Sequence, residues 1–178
     1  METNLITISG PPASGTTTVA EKLSEELNFA HISGGDIFRK MASERGLTLS
    51  ELTELSDSDP SIDKEVDMRL KQIIAEYDDG SYTVEEDGLI VESRLAGWHG
   101  RDYADLLIYI SASKETRLGR IGSRDETEEE FLAREASEID RYKEYYGIDT
   151  TQTHIYDLCI DSGSNTPDQI VSKILNNM

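Results

Sequence analysis

The chain has 178 residues, and 36 acidic side chains against 17 Lys and Arg give it a formal net charge of −19. That length suits one domain, with insertions, around one sizeable core. So acidic a surface excludes a module that grips DNA or RNA through the backbone, but not a small polyanion held in a pocket by a few arginines.

No apolar run approaches the ~20 residues a bilayer span needs, and Met1-Glu2-Thr3-Asn4 lacks the basic start of a signal peptide. A cytoplasmic protein with no membrane or nucleic-acid partner is expected. The acid excess also suits a salty cytoplasm, where surface repulsion is screened.

Leu5-Ile6-Thr7-Ile8-Ser9 runs into Gly10-Pro11-Pro12-Ala13-Ser14-Gly15-Thr16-Thr17-Thr18, which predicts strand, tight loop and then a helix over about 16–27. Such a loop turns backbone N–H groups inward, and the helix adds the positive end of its dipole. The phosphate-loop pattern fits at Gly10, Gly15 and Thr17, but Thr16 stands where the lysine belongs. Thr17 still offers a hydroxyl to Mg2+. A plain strand-to-helix turn is the alternative reading.

Phe29-Ala30-His31-Ile32 predicts a second strand, with His31 a structural residue. Ser33-Gly34-Gly35-Asp36 reads as a loop with a helix cap, and Arg39 lies one turn in, able to reach back toward that corner. Short leucine spacings over 47–55 predict a helix starting near Ser50, and Asp59-Pro60-Ser61 opens another that runs to about Tyr77. Asp63 and Asp67, four apart, share a face of it. They are either base-reading carboxylates or a solvated acidic face. Residues 34–77 thus form a helical insertion able to move against the core.

Tyr82-Thr83-Val84-Glu85 is an edge strand or a loop. Leu89-Ile90-Val91 is a stronger strand, ending in Glu92-Ser93-Arg94-Leu95-Ala96-Gly97-Trp98. Polar residues at the carboxyl end of a buried parallel strand stand where open α/β sheets bind ligands. Arg94 is the candidate to hold a phosphate and Glu92 to orient it, or water near the metal; a simple Glu92–Arg94 pair is the alternative.

A fourth strand spans about 104–110, and a helix about 114–121. Arg117, Arg120 and Arg124 form one stripe if that helix continues, and a second helix carries Arg134, Glu138 and Arg141 on nearly one face before Gly147 caps it. Arg120, Arg124, Arg134 and Arg141 together suggest a lid over 120–147; a surface salt-bridge network is the alternative. A last strand over 155–161 would bury the single cysteine, Cys159, and Pro167 opens a closing helix. The expected fold is a three-layer α/β sandwich of about five parallel strands.

Taken together, the glycine loop, Ser33 to Arg39, Glu92 to Trp98, Arg141 to Asp149 and Ile155-Tyr156-Asp157-Leu158 resemble the archaeal type of cytidylate kinase, within the nucleoside monophosphate kinase group of P-loop proteins. The resemblance spans nearly the whole chain. Threonine at the lysine position is similar to a variant loop of this family, whereas Ala13 stands where glycine is usual and 78–88 is longer than the norm.

The resemblance implies an enzyme of pyrimidine nucleotide metabolism that transfers the outer phosphate of ATP, with Mg2+, to CMP and also dCMP; a monomer is expected, though the sequence does not decide between monomer and dimer. It implies donor phosphates on Gly10, Pro11, Pro12, Ala13, Ser14, Gly15, Thr16, Thr17 and Thr18, with Thr17 on the metal. Arg39 and Arg94 would hold the acceptor phosphate, and Asp36 and Asp63 the base. Arg120, Arg124, Arg134 and Arg141 would be lid or transition-state contacts. The alternatives are a kinase of another nucleoside monophosphate or small molecule, and a nucleotide-binding scaffold without turnover.

Overall fold

The computed structural model of the protein describes residues 3–122 and 127–178. Five strands form one sheet: β1 (Leu5–Ser9), β2 (Phe29–Ser33), β3 (Gly88–Glu92), β4 (Leu106–Ser111) and β5 (Leu158–Asp161). All pair in parallel, in the order β2-β3-β1-β4-β5. Alternation fixes the faces: Leu5, Leu89 and Val91 enter one core, and Ile6, Ile8 and Ile90 the other.

On one face, α1 (Thr16–Leu27) and α8 (Pro167–Leu175) pack through Val19, Leu23, Ile170 and Ile174. On the other, α2 (Gly34–Glu44), α3 (Leu49–Ser56) and α4 (Pro60–Asp78) pack through Ile37, Met41, Leu52, Leu70 and Ile74. Leu70 and Ile74 are fully buried, and each burial stabilises by about 1.5–3 kcal/mol. The middle of α4 is therefore fastened to the sheet, while its first turns carry Asp63 and Asp67 to the cleft. The chain also forms α5 (Ala96–Gly100), α6 (Lys114–Ile121) and α7 (Glu128–Tyr146). The three-layer, five-stranded α/β fold is as expected.

Several local expectations are corrected. The helix cap expected in Ser33 to Asp36 forms, but without a loop: Ser33 ends β2 and N-caps α2 directly, its hydroxyl accepting from Asp36 N while Asp36 accepts from Ser33 N. Thr48, rather than Ser50, caps α3 by the same exchange with Glu51. Of the two readings of residues 82–85 the loop holds, and they form no strand. Cys159 is exposed, because β5 is an edge strand whose alternate side chains face outward. Glu92 and Arg94 are not partners of each other. Arg124 lies outside the described residues.

Candidate functional site

A cleft of about 730 Å³ opens at the carboxyl ends of β1 and β3, between the glycine loop, α2, α4 and α7. Its floor is the loop that joins β1 to α1. At Gly10 a side chain would meet the Ile110 carbonyl at 2.4 Å, so only glycine lets the two chains pass this closely. Gly15 turns with φ 92° into α1, which begins without a side-chain cap. The N–H groups of that first turn have no partner within the helix and present a positive end to the cleft.

The loop's carbonyls are held from outside. Arg94 Nη1 donates to Gly10 O at 3.1 Å, Arg117 Nη1 to Pro12 O at 3.2 Å, Arg120 Nη1 to Ala13 O at 3.0 Å, and Ser162 Oγ to Ser14 O at 2.6 Å. With its carbonyls engaged there, the loop is shaped to receive an anion on its N–H side. Ala13 takes φ 61° in this shape, left-handed for a residue with a Cβ and a conformation that glycine adopts without strain.

Thr16 does not imitate the lysine it replaces. It is 6% exposed, and its hydroxyl donates to Glu92 Oε1 at 2.7 Å, while Thr17 Oγ1 lies 3.3 Å from Glu92 Oε2. Thr17 and Glu92 thus set hard oxygen donors side by side at the mouth of the loop. Among the described residues no group of three or more His, Cys, Asp or Glu could hold a metal alone. This donor set fits Mg2+, which is held by few protein oxygens and completes its shell with phosphate oxygens and water.

In and beside the cleft, arginines are paired with carboxylates. Arg94 Nε lies 2.9 Å from Glu138 Oε1, Arg39 pairs with Asp36 at 2.7 Å, and Arg141 pairs with Asp63. Arg134 lines the cleft with its guanidinium over the Phe131 ring, 5.4 Å from its centroid. Arg120 lines the cleft and also a smaller cavity of about 230 Å³ behind the loop, beside Ser162, Asn165 and Pro167. Burial pushes Asp36 up, but hydrogen bonds from Ser33 and Arg39 outweigh it and hold Asp36 below its ordinary range. Burial and the nearby Glu138 push the Tyr142 hydroxyl well up, so it stays neutral.

Of the residues nominated from sequence, Ala13, Gly15 to Thr18, Asp63, Arg94, Arg120, Arg134 and Arg141 meet in this cleft. Gly10, Pro11 and Pro12 face a cavity on the loop's other side, Ser14 faces the small one behind it, and Asp36 and Arg39 line neither the cleft nor these two. Sequence reasoning missed the Ser162 anchor, although it stands just past β5, where the end-of-strand rule applied to Glu92 would have found it. It placed Arg117 on the arginine stripe but missed its role: Arg117 is buried, ion-paired with Glu135 at 2.6 Å, and braces the loop rather than lining the cleft.

A family profile described as cytidylate kinase-like matches residues 5–164. The chain is 44% identical over 176 residues to a cytidylate kinase of Halobacterium salinarum, covering 96% of this chain and 87% of that one. It is also 44% identical over 164 residues to a cytidylate kinase of Methanosarcina acetivorans, covering 88% and 86%. Among solved structures, the shikimate kinase of Bacteroides thetaiotaomicron superposes with a TM-score of 0.64 at 11% identity, over 99% of this chain and 98% of that one. An uncharacterized protein from Eubacterium ventriosum superposes at 0.67 and 18%, over 98% and 97%. These two likenesses speak for the fold alone.

Proposed function

The chain belongs to the cytidylate kinase-like family, and from that premise we propose how its cleft carries out ATP-dependent phosphorylation of CMP and dCMP to the diphosphates. The observation that carries the reading is the cleft itself, in which an anion-binding loop faces Arg94, Arg134 and Arg141 across one space.

The loop N–H groups and the start of α1 bind the donor phosphates. Thr17, backed by Glu92, would hold Mg2+, and that ion, when bound, would neutralise charge that develops on the transferring phosphoryl group. Arg94 holds the acceptor phosphate, with Arg39 at the rim. The acceptor is already an anion, so no general base is needed: one of its oxygens bonds to the outer phosphorus as the bond to the ADP oxygen breaks. Arg134 and Arg141, on α7, stabilise the moving charge as that segment closes and excludes water, while Arg120, anchored on Ala13 O and Ser162, meets that charge from the loop side. Arg124 belongs to the same proposed lid over 120–147, and 34–77 acts as the acceptor-binding insertion.

No helix among the described residues is long and apolar enough to cross a membrane. Our reading takes the enzyme to be a cytoplasmic monomer. The test is Mg2+- and ATP-dependent ADP formation with CMP, dCMP, UMP, AMP, GMP or no acceptor. Turnover with CMP and dCMP above the others is expected. ADP formation independent of any acceptor, or none at all from folded protein, would overturn the proposal.

A further inference from the structure

The carboxylates nominated from sequence for the base are committed elsewhere: Asp36 closes the α2 cap and pairs with Arg39, and Asp63 pairs with Arg141. Asp67, one turn beyond Asp63, differs. It is 9% exposed, lines the cleft, and among the described residues has one hydrogen-bond partner, the Tyr146 hydroxyl, which donates to Oδ2 at 3.1 Å. Phe38, Val66 and Leu70 line the same cleft and supply apolar wall for a flat ring. A buried carboxyl with one oxygen uncommitted among apolar walls is equipped to read polar atoms on such a ring.

The groups around Asp67 oppose its ionisation. Burial comes first, followed by the charges of Asp63 on its own helix and Glu138 on α7; the Tyr146 hydrogen bond and Arg141 work the other way, and the balance lifts Asp67 to about 7. On its far side lies a second cavity, where Lys64, Lys71, His99, Arg101 and Asp102 are found. Burial, and then Lys71, push His99 down to about 4, so that it is neutral there.

We propose that Asp67 is the specificity-determining residue for the acceptor base, reading the edge of cytosine through its two carboxyl oxygens, whose roles Tyr146 sets. This rests on the functional reading above. The Tyr146 hydroxyl makes Oδ2 the accepting oxygen, which leaves the proton on Oδ1. Cytosine presents a matching edge: N3 accepts from Oδ1–H and the N4 amine donates to Oδ2. Uracil presents the reverse, a donor at N3 and an acceptor at O4. Pairing with uracil therefore requires moving the proton onto the oxygen that Tyr146 already occupies. Ionised Asp67 loses this preference, since it can only accept. Asp67 is thus the reader and Tyr146 a positioning residue.

The experiment compares kcat/KM for CMP and UMP between pH 6 and 8.5 in wild type, Asp67→Asn, Asp67→Ala and Tyr146→Phe. Where UMP turns over too slowly, its inhibition constant against CMP is used instead. The two acceptors share the same phosphate and sugar, so their ratio cancels phosphate titration and the fraction of folded enzyme. In wild type the CMP preference should fall as pH rises through about 7, the value to which Asp67 is lifted. Asp67→Asn presents the same donor and acceptor without titrating, so it should keep the preference and lose its pH dependence. Asp67→Ala should lower the preference by ~10- to 100-fold, the cost of leaving buried polar atoms unmatched, and Tyr146→Phe by about 10-fold. A wild-type ratio flat with pH and unmoved in Asp67→Ala would overturn the assignment while leaving the kinase reading intact. Absence of turnover with either acceptor would instead overturn the kinase reading.

Discussion

The two sides of the cleft hold their arginines in different ways. On the donor side Arg117 and Arg120 donate to loop carbonyls, and Ser162 secures a third. On the acceptor side Arg39, Arg94 and Arg141 each face a carboxylate: Asp36, Glu138 and Asp63. A carbonyl contact persists when an anion arrives, because the anion uses the N–H side of the loop. An ion pair must be shared or exchanged. On the proposed reading the donor side is therefore preformed, and the acceptor side is closed on itself until a phosphate competes for its arginines. Arg94 belongs to both, since it also donates to Gly10 O.

The largest effect should come from the side that changes partners. Arg141→Ala should lower kcat by ~10³-fold, the low end for an arginine that stabilises phosphoryl transfer, with KM for CMP changed only a few-fold. Steady-state kinetics at saturating ATP separate the two, and an unchanged kcat would place Arg141 outside the reaction. Arg94→Ala should act next, raising KM for CMP by about 100-fold through loss of a charged hydrogen-bond partner. A titration showing wild-type CMP affinity would break the division between the two sides.

The smallest effect belongs to the preformed side. Ala13→Gly removes the left-handed strain at φ 61°, worth ~1–2 kcal/mol, and gives back part of it as unfolded-chain entropy. The net gain should be about 0.5–1 kcal/mol, or ~2–3 °C in Tm, with kinetics unaltered. A loss of stability on thermal melting would mean that the loop is not strained at this position.

Much of this contrast was legible in the chain and part was not, for physical reasons. The loop and the bounds of α1, α6 and α8 are written locally, in glycine spacing, helix caps and apolar period. Helix α5 was not legible, because Ala96-Gly97-Trp98-His99-Gly100 has two glycines and no room for a period; it forms where Gly97 lets the chain pass against the Tyr156 ring. Cys159 was misread because an apolar segment does not reveal whether its strand is central or at an edge. The partners of Arg94 and Arg141 come from distant elements, and spacing along one helix cannot name them. The same limit favoured Asp63 over Asp67: both share a face of α4, and only α7 distinguishes them, by bringing an arginine to one and a tyrosine to the other.

The Arg94–Glu138 pair has a consequence for how acceptor capture responds to ionic strength. A bare cationic site sheds bound counter-anions when a phosphate lands, and its affinity falls as salt rises. Here the arginine is already neutralised, so capture of the acceptor by Arg94, as proposed, would be an exchange of anions, and the displaced Glu138 would be the group that must find a mobile cation. Affinity for the acceptor should then vary little with salt, or even rise with it. A protein of net charge −19 would in this way let dissolved cations, rather than its own surface, restore electroneutrality at each turnover.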